Sequence, residues 1–428
     1  MNETTMTARP TLASSVDAVV VGAGAAGIAA ARHLLAKRPD LSVIVLEAAS
    51  RIGGRASSVR PDSLGGHAVD LGCGWFHGSR DNEWLKIAQQ LGFAIDRTPA
   101  PWTDPERIIA RNKGAEALAR KAINGFFERL GRYDTERADA AWSVVVHPDD
   151  NWISRLEPLA NFLNGADLAS SSIADFQNYD PGGGPDLRTK DGYGTVVATY
   201  GRPLNIHLET AVERIEHRGA RSVRLATNRG TLDASVVIVT VSTTVLANET
   251  IRFDPPVPAK IEAASKLPLG KVNKLFLAVV PGTELPPDRN LMGTHGSGGT
   301  ASYQIRPFGT AVIEAYFGGQ LAEDLERGGT RAATAFAIDE LVDCFGSGIR
   351  NKLAFAAASS WCADRWIGGG YSYALPGQAG QRQRLAAPID ARLFFAGEAC
   401  SPKKFSTAHG AYESGIAAAE AAMIGLFT

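Results

Sequence analysis

Gly22-Ala23-Gly24-Ala25-Ala26-Gly27 has the glycine spacing of a turn that cradles a pyrophosphate. The first glycine permits a tight turn, the second lets backbone approach a phosphate, and the third lets a helix pack closely on a strand. A helix starting there offers free N–H groups and the positive end of its dipole to an anion. Glu47 lies 20 residues beyond Gly27, where a carboxylate can accept the hydroxyls of a ribose. Much later, Lys274 stands among Val272, Leu275 and Phe276, surroundings that would partly bury it. His77 follows Trp75-Phe76, and a histidine there can hold or shuttle a proton. Tyr371 follows Gly368-Gly369-Gly370 in a stretch that also holds Trp361, Trp366 and Tyr373, and an aromatic face can receive a cation. Cys73, Cys344, Cys362 and Cys400 form no C-x-x-C pair, which argues against a zinc site or a redox dithiol.

The elements around these residues are readable. Ala18 to Val21 is a short apolar run of the kind buried on both faces of a sheet. The helical pattern Ile28, Ala31, Leu34, Leu35 follows the glycines, and Val43 to Leu46 is a second apolar run ending in Glu47. This strand-helix-strand unit is the first half of a dinucleotide-binding sheet. Glu83 to about Asp180 reads as mostly helical, with Glu83 to Leu91 and Glu116 to Leu130 as examples. Val223 to Thr227 and Thr231 to Ala234 flank Asn228-Arg229-Gly230 as a hairpin, and Val236 to Val239 is another doubly buried strand. Val272 to Val280 and Ala311 to Phe317 suggest antiparallel strands, and Arg331 to Phe345 a helix. Leu393 to Phe395 is a last strand and His409 to Leu426 a closing helix. Period-2 alternation puts Val272 and Lys274 on one face of their strand and Lys271 and Asn273 on the other.

Glu47-Ala48-Ala49-Ser50-Arg51-Ile52-Gly53-Gly54-Arg55 resembles the flavin amine oxidase family, in which the second strand ends in an acid followed by R-x-G-G-R. Asp70-Leu71-Gly72-Cys73-Gly74-Trp75-Phe76-His77-Gly78 resembles its D-L-G-x-x-W-x-H-G. Asp191-Gly192-Tyr193-Gly194 is similar to its G-G-Y-G turn, Ala396-Gly397-Glu398 to its A-G-E, and His409-Gly410-Ala411-Tyr412-Glu413-Ser414-Gly415 to its H-G-A-x-x-S-G. The motifs run in order over most of the chain. The resemblance implies an α/β fold: a Rossmann-type, glutathione-reductase-like FAD-binding domain, discontinuous over 12–82, 190–250 and 365–428. An α+β substrate domain with a helical insertion would take 83–189 and 251–364.

For the cofactor, the resemblance implies contacts from Gly22, Gly24, Ala26, Gly27, Glu47, Ala48, Gly54, Arg55, Gly72, Gly74, Trp75, Val212, Gly397, Glu398, Thr407, Ala408 and Ala411. Arg55 would reach the phosphates, since guanidinium is a bidentate phosphate ligand. The small residues of 72–74 would let the flavin ring lie on backbone. The start of the last helix would face the anionic edge of the reduced ring. Lys274 would hold a water near flavin N5, His77 would face substrate, and Tyr371 would form one wall of an aromatic cage. Gly370 stands where covalent members carry cysteine, so the FAD is expected to be non-covalent. Thr407 takes the place of a second cage tyrosine, which leaves the cage half built and favours a polyamine or secondary amine. His409 is expected to cap or pack the helix rather than react.

The implied activity is removal of a hydride from the carbon beside an amine nitrogen. The imine would be hydrolysed and O2 reduced to H2O2. The alternative on a related fold is FAD-dependent C–C oxidation, as in a desaturase or porphyrinogen oxidase, which would need neither Lys274 nor an aromatic cage. A nicotinamide dehydrogenase has no use for Arg51 to Arg55, and a bare FAD-binding scaffold has none for Lys274. A net charge of -1 gives no reason to expect nucleic acid or an anionic membrane as partner. Met1 to Ser15 lacks an apolar core, so no secretory signal is expected. Ala417 to Phe427 is short and interrupted by Glu420, so no membrane anchor is expected, and few scattered cysteines fit the cytoplasm. No oligomeric state is assigned by the sequence.

Overall fold

The computed structural model describes residues 12–110, 113–147, 153–218, 222–293 and 299–427. Most of Met1 to Ser15 therefore lies outside the described residues. The first sheet contains β1 (Ser15–Val21), β2 (Val43–Leu46), β3 (Ile206–His207), β4 (Val212–Glu216), β5 (Val223–Thr227), β6 (Gly230–Val239) and β7 (Arg252–Asp254). Their order across the sheet is β7-β4-β5-β6-β1-β2-β3. The hairpin strand and the buried strand expected after Arg229 are one continuous strand, β6. Its first half pairs antiparallel with β5, while β1 lies parallel along its other edge. The eighth strand, Leu393–Phe395, pairs parallel with the end of β6.

Alternation along β1 and β2 sends side chains into two cores. Ala18, Val20, Val43 and Val45 pack under helices α1 (Ala25–Lys37), α2 (Glu83–Gln90) and, further along the chain, the closing helix Ala408–Phe427. Val19, Val21, Ile44 and Leu46 face the opposite core with residues of β4, β5 and the segment 245–267. Trp84, Leu85 and Ile87 of α2 belong to the first core, and the second runs past residue 250 to Leu267.

Between α2 and β3 lie α3 (Lys113–Arg132), α4 (Ile153–Asn164), α5 (Ile173–Asn178) and α6 (Tyr193–Gly201). The first three of these enclose a separate core of Phe126, Leu130, Trp142, Leu156 and Ile173. Two short pairs escaped the sequence reading, Ser58–Val59 with Val69–Asp70 and Ile95–Asp96 with Arg188–Thr189. After β6 come α7 (Thr243–Ala247) and α8 (Pro258–Ser265).

The second sheet is antiparallel: β8 (Val272–Val279), β9 (Arg289–Met292), β10 (Ser302–Ile305), β11 (Val312–Gly318) and β12 (Leu353–Ala358), in the order β9-β10-β11-β8-β12. One face packs Leu275, Leu277, Ile313, Ala315 and Phe317 on α9 (Gly319–Phe345), and Asn273 reaches Glu326 of that helix. The other face carries Lys274, Phe276, Glu314 and Tyr316, as the period-2 reading of Lys274 requires. The chain closes with α10 (Gln381–Ala386), β13 (Leu393–Phe395) and α11 (Ala408–Phe427).

The tightest approach is at the start of α1. A Cβ on Gly27 would lie 1.9 Å from the Gly22 carbonyl oxygen, which is backbone and cannot swing aside. Gly27→Ala is expected to cost at least about 3 kcal/mol of stability in denaturant unfolding. An unchanged midpoint would contradict this packing.

Candidate functional site

The carboxyl ends of β1, β6 and β13 open on one mouth, the position where parallel sheets receive nucleotides. Gly22 turns there with φ at +106°, conformationally a glycine's place. Gly24 faces open space, since a Cβ on it would meet nothing within 4 Å, and the same holds for Gly397. Gly53 donates to the Ala23 carbonyl at 2.8 Å, and a Cβ on Gly54 would lie 3.3 Å from Gly24 Cα. Ala26 is buried where α1 meets α11, close enough that a Cβ on Gly415 would sit 2.2 Å from the Ala26 carbonyl oxygen.

Glu47 accepts from the N–H groups of Ala23 at 2.7 Å and Ala49 at 2.8 Å. Its burial pushes the carboxyl up, and these two bonds pull against that. The Glu47 carbonyl accepts from Thr210 at 2.8 Å, which sets Ala48 beside Ala211 and buried Val212 at the start of β4. Below the mouth is a pocket lined by Arg55, Thr243, Phe395, Gly397 and Glu398 among others. The Thr243 hydroxyl is buried there with no protein partner. An open backbone cradle, a carboxylate at the second strand, a guanidinium and an orphan hydroxyl together fit a dinucleotide.

Arg55 Nη1 reaches the Gly370 carbonyl at 2.6 Å and Glu398 Oε1 at 2.8 Å. Glu398 also accepts from Ser372 N–H, Ser372 Oγ and Ser406 N–H. Its side chain thus accepts four hydrogen bonds from the protein, while a Cβ on Gly397 would meet nothing within 4 Å. Thr407 caps α11, accepting from Gly410 N–H at 2.9 Å, and its carbonyl accepts from Ala411 at 3.1 Å. The Ala408 carbonyl takes the Trp84 indole N–H at 3.0 Å. The helix start lies beside the Gly397-Glu398 turn, because Ser406 bonds Glu398 and Ser414 accepts from Gly397 N–H.

Gly72 and Gly74 lie where the two sheets face each other. A Cβ on Gly72 would strike the Arg55 carbonyl at 1.8 Å, and one on Gly74 would sit 3.5 Å from Lys274 Nζ. Lys274 is not alone in apolar surroundings as its neighbours suggested. Its ammonium is 2.8 Å from Glu314 Oε1, and Asp70 lies within its field. Burial raises the Asp70 carboxyl, although Ser58 donates to it at 2.5 Å and Tyr193 N–H at 3.0 Å.

The Tyr371 and Tyr316 hydroxyls lie 2.5 Å apart and both reach the Phe162 carbonyl, at 2.6 and 3.3 Å. Burial pushes the Tyr371 hydroxyl up to about 12. Tyr316 sits directly across from Lys274 in the β8–β11 ladder. The aromatic wall therefore has a second tyrosine, from a strand the Thr407 argument did not consider. A Cβ on Gly370 would lie 2.2 Å from a Val272 methyl carbon, so a cysteine at that position has no room.

Trp75 makes an edge contact with Trp102 at 4.5 Å, and the Arg188 guanidinium lies 4.4 Å from its ring centroid. These two contacts fix the orientation of its ring. His77 Nδ1 is 3.1 Å from Asp186 Oδ1, held in register by the Phe76–Leu187 backbone bridge. His409 is buried, with Nε2 donating to the Pro181 carbonyl at 2.9 Å and Nδ1 facing the Asn82 amide at 3.3 Å. It packs the helix start, as expected. Asp70, Asp186, Glu314 and Tyr316 were missed as site residues. Asp70 lay inside a quoted motif, whereas Glu314 and Tyr316 are brought to Lys274 by strand register and Asp186 reaches His77 beside the Phe76–Leu187 bridge.

The Flavin containing amine oxidoreductase family model matches residues 25–142 and 115–423. The chain is 30% identical to Polyamine oxidase 2 of Arabidopsis thaliana, over 95% of its own length and 88% of that protein. Among solved structures, cyclohexylamine oxidase from Brevibacterium oxydans shares the fold with a TM-score of 0.77 at 22% identity, covering 96% of this chain and all of that one. A redesigned double mutant of putrescine oxidase gives 0.76 at 17% identity, covering 97% of this chain and all of its own.

Two outcomes follow from this geometry. Gly24→Ala should leave unfolding within about 1 kcal/mol of the parent, since the added methyl has space, yet weaken FAD binding in titration calorimetry at least roughly tenfold, a change of about 1.4 kcal/mol. Unchanged affinity would remove the nucleotide from this turn. Burial, and less strongly the charges of His77 and Lys404, hold the His409 ring down to about 4 from its ordinary 6.5. The unfolded chain takes up that proton first, so its contribution is present above pH 6.5 and lost as pH falls toward 4. Between those values the parent should lose up to about 3 kcal/mol more than His409→Gln. Parallel stability curves would contradict it.

Proposed function

The chain belongs to the flavin-containing amine oxidoreductase family and oxidises an amine, and from that premise we propose that it is an FAD-dependent oxidase of polyamines or related secondary amines. The flavin is FAD, held without a covalent bond, O2 takes the electrons as H2O2, and the protein works in the cytoplasm. FAD is assigned to the body built on the first sheet and the amine to the space under the second. The observation that carries the reading is one convergence: Gly74 backbone against Lys274, with Tyr316 across the ladder and Tyr371 bonded to it. A C–C oxidation site would have no use for that lysine or for two tyrosines locked to one carbonyl.

When bound, the flavin supplies a hydride acceptor for the carbon beside the amine nitrogen. The side chains prepare that step. Asp186 stands 3.1 Å from His77 Nδ1, and the His77 ring is the group proposed to take a proton from an arriving ammonium. The amine thus reacts uncharged, with the lone pair its developing iminium needs. Tyr371 and Tyr316 cannot rotate freely, because both hydroxyls are spoken for, and they offer a fixed wall for the neutral amine. Lys274 has three N–H donors and spends one on Glu314, which leaves donors for a water beside the reacting atoms. That water serves imine hydrolysis or the return of electrons to O2. Asp186 also offers a polyamine's second ammonium an opposite charge beside His77.

The test is peroxide release from the FAD-loaded protein with diamines, polyamines, acetylated polyamines, cyclic amines and monoamines. Polyamines or their acetylated forms should give the highest kcat/KM. Lys274→Met should slow flavin reoxidation or imine hydrolysis at least roughly tenfold, about 1.4 kcal/mol of barrier. Peroxide from none of these amines would overturn the substrate reading, and full rates in Lys274→Met would remove its role.

A further inference from the structure

Glu314 and Lys274 form an ion pair at 2.8 Å with side chains only 14% and 11% exposed. The register explains the contact. Lys274 lies opposite Tyr316, and Glu314 opposite Phe276, so the two charged residues are diagonal neighbours on the same face. Gln304 lies opposite Glu314 on the next strand and accepts from Arg188, whose guanidinium also bonds Asp288. Arg188 thus has a hydrogen-bonded carboxylate of its own in Asp288, while Glu314 lies within its field and makes its close ion pair with Lys274. Asp70 approaches Lys274 from the Val69–Asp70 strand, completing the charged groups that face the ammonium.

A buried ion pair is a poor device for stability, because desolvating both charges takes back most of their attraction. Its position beside Gly74 calls for another use. We propose that Glu314 is a positioning residue for Lys274, fixing the ammonium beside the flavin and offsetting its charge so that the reduction potential is set by the pair. The proposal rests on the reading that the flavin lies against Gly72 to Gly74. Reduction places negative charge on the ring, and a fixed charge in a low-dielectric site acts strongly on it. An uncompensated lysine would favour the reduced form, and an uncompensated glutamate the oxidised form.

The experiment is spectroelectrochemical titration at neutral pH of the FAD-loaded parent, Glu314→Gln, Lys274→Met, the double variant and Glu314→Asp, with FAD affinity measured for each. Glu314→Gln should shift the midpoint positive, and Lys274→Met should shift it negative. Each shift should reach at least a tenfold change in the two-electron equilibrium, about 30 mV. The double variant and Glu314→Asp should stay near the parent, the first because both charges are gone and the second because the carboxylate remains. Single variants that keep the parent's midpoint, or that move it in the same direction, would overturn the proposal. If Glu314→Gln does not retain FAD, Lys274→Met decides alone, and a midpoint equal to the parent's overturns it. Opposite shifts in a protein that oxidises no amine would sink the substrate reading but leave this one standing. Unmoved potentials in an active oxidase would do the reverse.

Discussion

Glu398 is a buried carboxylate, 5% exposed, on which separate stretches of the chain converge. It receives Arg55 from the loop after β2, Ser372 from the glycine turn and Ser406 from the approach to α11. Burial by itself would push this carboxyl up, but the charges of Arg55 and Arg382 and the Ser372 bond outweigh it and hold it below the usual range. Arg382 continues the network through a two-pronged contact with Asp175 at 2.8 Å on each prong, which ties α5 of the helical block to the nucleotide side. Removing one member of such a network leaves a buried charge unpaired, at about 3–5 kcal/mol. The phosphate mouth and the chamber around Tyr371 are thus one mechanical unit, since Arg55 also grips the Gly370 carbonyl next to Tyr371.

The second constraint is alternation. In β8 and β11 every other side chain enters the core against α9, and those between look toward the first sheet. The site is therefore made from residues that the antiparallel sheet cannot bury under its helix. Lys274, Glu314 and Tyr316 share a face for the same reason that Leu275, Ala315 and Phe317 share the other. The aromatic wall is completed by a carbonyl of α4, so the helical block shapes the chamber through backbone as well as side chains.

Much of this was legible. The glycine turn and Glu47 stand out by spacing, Arg55 and Lys274 through the family resemblance, and the buried runs Val43–Leu46 and Leu393–Phe395 fall where they were placed. What stayed hidden depends on long-range pairing. Glu314 and Asp186 are ordinary acids in sequence, and their partners are 40 and 109 residues away. Tyr316 was invisible because the aromatic argument followed motif positions, whereas the second tyrosine arrives through strand register. The motif around Glu398 is conspicuous in sequence, but the framework bonds of its carboxylate to Arg55, Ser372 and Ser406 depend on long-range folding. β7 adds to the sheet edge by pairing with β4, a long-range contact that local periodicity does not encode.

The account stands on where the flavin ring lies, and a crystal structure of the FAD-loaded protein measures that directly. It predicts the ring against the backbone of Gly72 to Gly74, the pyrophosphate at Gly24 and Arg55, and Lys274 Nζ within reach of ring N5 through one water. A ring bound elsewhere, or a Lys274 ammonium turned away from it with Glu314, would contradict the account.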